Sequence, residues 1–250
     1  MEELAIFPSL KGKVAFVTGG ASGLGGAIVE AFHRQGAKPA FIDIDEAAGA
    51  ALAGRLGGCW FRKCDVTDPV DLQRAIVDAA QELGALDIIV NNVANDVRHA
   101  ASETSPEAWR QILAVNLDPA FFTSIAALPF MKVAGGGSII NITSINAILG
   151  PANLAGYVAA KGAINAMTKS LAREWGQFKV RVNAIAPGWI VTDRQLKLWL
   201  TPEAESEWMT QVSLQRRIYP QDVTPLVLFL AASDSSVITG QVMVIDGGRT

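Results

Sequence analysis

The chain has 250 residues, half of them hydrophobic, a formal net charge of −3 and two cysteines. That is enough for one well-buried domain over residues 1–250 and too few for two, and the slightly acidic balance excludes a general nucleic-acid surface. Cys59 and Cys64 fit reduced thiols better than a disulfide framework, and no His, Cys and carboxylate spacing suits a metal, so a metal-free cytoplasmic protein is expected. The N-terminal MEELAIFPSLKGK starts acidic and lacks the apolar core of a signal peptide. No uninterrupted apolar run reaches the ~20 residues of a membrane helix, so no membrane partner is expected.

In chain order, VAFVTGG (Val14 to Gly20) reads as a buried strand ending in a glycine turn, followed by a helix near 23–36. PAFIDID is the next strand, then a helix near 46–56, a further strand in CWFRKCDV, and a helix over 69–83 opened by Asp68–Pro69. LDIIVNN is followed by one long helix over 105–133, opened by Ser105–Pro106, then by the strand GSIINIT and a helix over 156–176. VRVNAIAPG is another strand. No strand follows it from Trp189 to Pro220, where Trp189, Trp199, Trp208, Arg194, Arg216 and Arg217 collect. Such an insertion predicts a substrate lid over 189–220 or a pair of packing helices, two readings that are compatible. A helix over 220–232 and the strand QVMVIDGG close the chain, with Asp246, Gly247 and Gly248 as a structural turn. Strands alternating with helices predict an α/β fold: a doubly wound parallel sheet with helices on both faces.

The turn TGGASGLG (Thr18 to Gly25) suits a pyrophosphate. Gly19, Gly23 and Gly25 permit a tight turn, and Ser22 and Leu24 lie where backbone meets phosphate at a helix N-terminus. Asp43, at the end of the second strand, can accept both ribose hydroxyls and repels a 2′-phosphate, which favours NAD over NADP; Asp45 is the better cap for the next helix. Asp65 and Val66 could meet the adenine, and Asn91–Asn92 stand where the strand order reverses and a crevice opens. Tyr157 and Lys161 are four apart, on one face of a helix. A phenol titrates near ~10, so acting as a base near neutrality asks for roughly three units of depression, about 4 kcal/mol. An adjacent ammonium favours the phenolate.

Together TGGASGLG, Asp65–Val66, NNVA, Asn116 in VNL, Ser144, Tyr157 with Lys161, PGWIVT and the closing DGG resemble the short-chain dehydrogenase/reductase family over nearly the whole chain. The resemblance implies one Rossmann-type domain with a sheet of about seven strands. It also implies a homotetramer that pairs the helices around 105–133 and 156–176. By the same resemblance, Tyr157 is the general acid/base, Lys161 lowers its pKa and holds the nicotinamide ribose, and Ser144 hydrogen-bonds the reacting oxygen. Asn116 anchors a water behind Lys161. Asn92, Pro187, Gly188, Ile190 and Thr192 line the cofactor. Where relatives have Asn-Asn-Ala-Gly, this chain has Asn91, Asn92, Val93 and Ala94, which narrows the nicotinamide end of the crevice.

IFPSLKGK, NDVRH (Asn95 to His99), PGWIVTDRQLKLWLTPEAE and VLFLAASD are most similar to the aldose 1-dehydrogenases. Those relatives have Asp where Val97 stands, and often an aromatic residue within Ile145–Ala147. The resemblance implies NAD-dependent oxidation of a monosaccharide at C1 to the aldonolactone. Asn95, Asp96, His99, Asn146 and Arg194 are the polar candidates for the sugar, with Trp189 or Trp199 against its apolar face. Asp96 and His99 could equally brace the loop after the fourth strand, and the tryptophans could pack the lid. Two other readings stay open. One is a dehydrogenase or reductase of another alcohol or ketone, such as a polyol or a 3-oxoacyl thioester entering past Arg216–Arg217. The other is a dinucleotide-binding module without catalysis.

Overall fold

A computed structural model describes residues 5–250; Met1–Leu4, the acidic opening of the N-terminal segment, lie outside the described residues. The elements run β1 (Val14–Thr18), α1 (Gly23–Arg34), β2 (Lys38–Asp43), α2 (Glu46–Arg55), β3 (Trp60–Lys63), α3 (Pro69–Leu83), β4 (Ile88–Asn91), α4 (Pro106–Asn116) and α5 (Asp118–Val133). They continue with β5 (Gly137–Ile142), α6 (Asn146–Leu149), α7 (Ala155–Trp175), β6 (Val180–Pro187), α8 (Asp193–Leu198), α9 (Pro202–Met209), α10 (Pro220–Ala231) and β7 (Val242–Ile245). All seven strands pair in parallel, in the order β3-β2-β1-β4-β5-β6-β7. This is the doubly wound arrangement expected from the alternating pattern. The chain reverses direction across the sheet between β1 and β4, so a crevice opens beyond the C-terminal ends of those strands.

Every residue of β1 is buried, because both faces of the sheet are covered. Ala15 and Val17 face one cluster with Ile28, Phe32 and Val227 of α1 and α10; Val14 and Phe16 face the other, with Ile76, Met131 and Trp175 of α3, α5 and α7. Burying each large side chain stabilises by about 1.5–3 kcal/mol. Helix starts are fixed locally. The Asp68 carboxylate accepts from the N–H groups of Val70 and Asp71, Ser105 Oγ from Ala108, and Asp45 from Ala48.

One helix differs from the sequence reading. The single helix expected over 105–133 is two helices, broken at Leu117 (φ −125°, ψ −57°), because Pro119 restarts the helix in its first turn. Pro106–Val133 taken end to end is apolar and long enough by composition to cross a membrane, but this break and its packing on the sheet belong to a core layer. The strand-free stretch after β6 contains two helices, α8 and α9, and one isolated parallel bridge from Ile190 to Ile218.

Candidate active site

The loop after β1 is shaped so that only glycine fits at its key points. Gly19 (φ +66°) and Gly23 (φ +56°) are left-handed, and a Cβ on Gly25 would stand 1.8 Å from the carbonyl oxygen of Gly19. Asn92, at the end of β4, locks this loop by donating from Nδ2 to the carbonyls of Thr18 (3.0 Å) and Gly19 (3.1 Å). In return Thr18 Oγ1 accepts from the N–H groups of Asn92 and Val93. Asp43 accepts from the N–H of Ala21 at 3.0 Å and from that of Asp45 at 3.0 Å, so its carboxylate joins the glycine loop to the end of β2. Asp65 is tied by the N–H and hydroxyl of Thr67, and Val66 packs on the core beneath α3. Ser22 heads α1 without a side-chain cap bond. A close backbone cradle at a helix start, with a carboxylate beside it, fits a dinucleotide's pyrophosphate and ribose.

Beyond β5, the cleft narrows onto three side chains. Ser144 follows the strand, and Tyr157 and Lys161 project from successive turns of α7. Tyr157 is hydrogen-bonded to Ser144, whose Oγ also accepts from the N–H of Asn146 at 3.1 Å. Lys161 is 1% exposed and donates from Nζ to the carbonyl of Ile142 at 2.9 Å; its nitrogen lies 5.7 Å from the centroid of the Tyr157 ring. Burial pushes the Tyr157 phenol up to about 12, offset in part by Ser144 and reinforced by the charge of Asp96. Burial also lowers Lys161 to about 8. The depression expected from Lys161 is therefore not met by the protein alone. The ammonium donates to the Ile142 carbonyl, and dehydration of the phenol outweighs the hydrogen bond with Ser144.

These groups line a cleft of about 590 Å³ with Leu24, Asn92, Asp96, Asn146, Pro187, Gly188, Trp189, Ile190, Thr192 and Arg194, all of them candidates from the sequence. Ala94 lines it too, as the departure from the usual glycine suggested. Thr192 Oγ1 caps α8 through the N–H of Gln195 at 3.3 Å. Gly188 leaves no room for a side chain, since a Cβ there would be 2.9 Å from Asp246 Cα.

Four candidates take other positions. Asn116 does not line the cleft. Its Oδ1 accepts from the N–H of Asn95 at 2.8 Å, and its Nδ2 donates to the carbonyls of Asn95 and Ile112, both at 3.0 Å. Asn95 instead accepts from Arg194 at 2.9 Å. His99 also stays outside the cleft, with Nδ1 against the carbonyl of Val97 at 3.2 Å and Nε2 accepting from the N–H of Gly156 at 3.1 Å. Both ring nitrogens serve the backbone, so His99 braces the start of α7. Trp199 sits beneath Arg98, 5.0 Å from ring to guanidinium.

The sequence reading missed Gln195, Trp208 and Arg249 as cleft residues. Gln195 accepts from Trp189 Nε1 at 2.7 Å and donates to Asp96 at 2.8 Å, which links the segment after β6 to the loop after β4. No local signal marks a glutamine for that role. Arg249 lies next to the DGG turn, which reads as structural.

The arrangement is that of a nicotinamide-dependent oxidoreductase of CH–OH groups, and the chain belongs to the short-chain dehydrogenase/reductase family. A short-chain dehydrogenase family model, described as enoyl-(acyl carrier protein) reductase, matches residues 19–250. The chain is 41% identical over 248 residues to the D-xylose 1-dehydrogenase of Caulobacter vibrioides, covering 98% of each chain. It is 40% identical over 247 residues to the Rhizobium meliloti protein called "Probable galactose dehydrogenase GalD", covering 97% of this chain and 96% of that one. Among solved structures, it resembles a 7α-hydroxysteroid dehydrogenase complexed with NADH and 7-oxo glycochenodeoxycholic acid, with a TM-score of 0.91 and 31% identity over 96% of this chain and 94% of that one.

Proposed function

We propose that the protein oxidises an aldose at C1 to its aldonolactone with NAD. The observation that carries this is the cleft in which the hydrogen-bonded Tyr157–Ser144 pair is faced by Asp96, Asn146 and Trp189; the sugar dehydrogenases among the relatives support it. The sugar's anomeric oxygen sits between Ser144, which donates a hydrogen bond to it, and Tyr157, which takes its proton. A bound nicotinamide would supply the hydride acceptor, so that loss of one hydride from C1 and one proton to Tyr157 turns the anomeric C–OH into a carbonyl. Lys161, still largely cationic near neutrality with its value at about 8, holds the nicotinamide ribose and favours the departing proton's path. Asn116 acts one step back, fixing the loop that carries Asn95 and Asp96.

Gly19, Ser22, Gly23, Leu24 and Gly25 would hold the pyrophosphate and Asp43 the adenosine ribose. Asp65 and Val66 would meet the adenine, and Asn92, Pro187, Gly188, Ile190 and Thr192 would meet the nicotinamide half. Residues 189–220 form the substrate lid, tied to the body of the site through Gln195 and Arg194.

A second reading, reduction of an oxoacyl thioester, is favoured by a relative 35% identical over 246 residues, the 3-oxoacyl-[acyl-carrier-protein] reductase of Chlamydia pneumoniae. It loses its basic entrance, because Arg216 pairs with Asp222 at 2.8 Å and Arg217 with Glu205 at 2.7 Å. A panel of pentoses, hexoses, polyols and oxoacyl thioesters, each with NAD or NADP, separates the readings. Turnover of an aldose with NAD is expected. Turnover of only polyols or thioesters would remove the sugar from the account.

A further inference from the structure

The last five residues form a built element. Asp246 accepts from the N–H of Gly248 (2.8 Å) and from the N–H (2.8 Å) and hydroxyl (2.9 Å) of Thr250, which curls the chain end onto itself. Ser213 Oγ donates to the carbonyl of Gly248 at 2.9 Å and the N–H of Leu214 to that of Gly247 at 2.9 Å, which fastens the curl to the segment after α9. Both glycines have positive φ, +69° and +83°, and a Cβ would come within 2.8 Å of Val212 at the first and 2.7 Å of Ser213 at the second. So much local constraint over five residues needs a reason beyond finishing β7.

What the curl holds in place is Arg249. Its guanidinium lies 5.4 Å from the centre of the Trp208 ring, Trp208 meets Trp189 edge-on at 5.6 Å, and all three line the catalytic cleft. Its Nε is buried and has no hydrogen-bond partner. No carboxylate among the described residues forms an ion pair with it. A buried donor left unmet within a binding cleft is a donor kept for what the cleft takes in.

We propose that Arg249 is a substrate-recognition residue. Its Nε–H donates to an acceptor oxygen of the polyhydroxylated substrate, other than the oxygen held by Tyr157 and Ser144, and Asp246–Thr250 is the scaffold that aims it. The polyhydroxylated ligand rests on the sugar reading above; the aimed donor does not.

Three variants of the full chain test this. Arg249→Gln places an amide N–H as many bonds from Cα as Nε, without charge. Arg249→Lys keeps the charge and puts a methylene at that point. Arg249→Ala removes both. KM and kcat are measured with whichever panel substrate the unmodified protein turns over fastest, and NADH affinity by fluorescence titration. The alanine and lysine variants should raise substrate KM about tenfold or more, with kcat within about threefold and NADH affinity unchanged, and the glutamine variant should lie closer to the unmodified protein than the lysine variant. An unmoved KM in the alanine variant, a lysine variant equal to or better than glutamine, or an equal loss of NADH affinity overturns the assignment. Should alanine fail to fold, the glutamine–lysine comparison decides alone. If the fastest substrate is not an aldose, the sugar reading fails while the KM split still decides Arg249.

Discussion

Lys161 has almost no exposed surface, and burial lowers its ammonium from 10.5 to about 8. The folded state therefore holds this proton less tightly than the unfolded chain. The stability associated with that difference is present above about pH 10.5 and lost as the pH falls through about 8. At neutral pH the buried cation costs stability, on the order of 1–3 kcal/mol. Lys161→Met should then melt at the same temperature as the unmodified protein or higher at pH 7, even though it strips the Ile142 carbonyl of its donor, while turnover collapses. A clear drop in melting temperature would show that the hydrogen bond to Ile142 outweighs the dehydration. Asp43 offers a second test at this scale. Asp43→Ala should weaken NAD use and improve NADP use in kcat/KM, because it removes the charge that repels a 2′-phosphate. Equal efficiency of the unmodified protein with both cofactors would contradict that role. Sequence pattern made both residues legible. It could not give the sign of the Tyr157 shift, because a phenol's burial depends on what the whole fold places around it, and here dehydration prevails over the hydrogen bond with Ser144.

Helix α7 carries both Tyr157 and Lys161, yet its own N-cap, Leu154, offers no side-chain cap. His99 supplies one from the loop after β4. Because Nε2 accepts from the N–H of Gly156, the proton of the neutral ring lies on Nδ1 and goes to the carbonyl of Val97. Gly156 immediately precedes Tyr157, so this bond sets where the phenol enters the cleft. His99→Ala should cost about 1 kcal/mol of stability and lower kcat more than it changes NADH affinity, read by thermal melts and steady-state kinetics. An unchanged kcat would make His99 a brace of the loop alone. At this scale the strands and most helices were legible, since continuous Val/Ile runs, the Asp68–Pro69 and Ser105–Pro106 starts and the glycine turn are local signals. The break at Leu117 was less so: helix-compatible residues flank Asp118–Pro119 on both sides, and composition cannot tell a proline that interrupts a helix from one that restarts it. The cap from His99 joins residues 57 positions apart, and no local pattern reports such a contact.

For the molecule as a whole, the sheet order brings the ends of β1, β4, β5 and β6 to one edge, so the glycine loop, Asn92, Ser144 and Pro187 meet although they span most of the chain. The family pattern foretold that meeting. It did not foretell the fastening of the segment after β6 by Gln195, nor the terminal curl that presents Arg249, because both depend on long-range contacts particular to this chain. The homotetramer that the family resemblance implies would cover the partly exposed Trp109 of α4 and Phe121 of α5. Sedimentation should give about four chain masses, and a monomer would refute the assembly. The central claim is that Tyr157 removes the proton from a sugar's anomeric hydroxyl as hydride leaves C1. It is tested most directly by following lactone and NADH together for the unmodified protein and for Tyr157→Phe, with the best aldose of the panel. The account predicts equal amounts of both products, a loss of about 10²–10⁴ in rate for the phenylalanine variant, and unchanged NADH affinity. NADH forming without lactone, or a phenylalanine variant that turns over at the original rate, would contradict it.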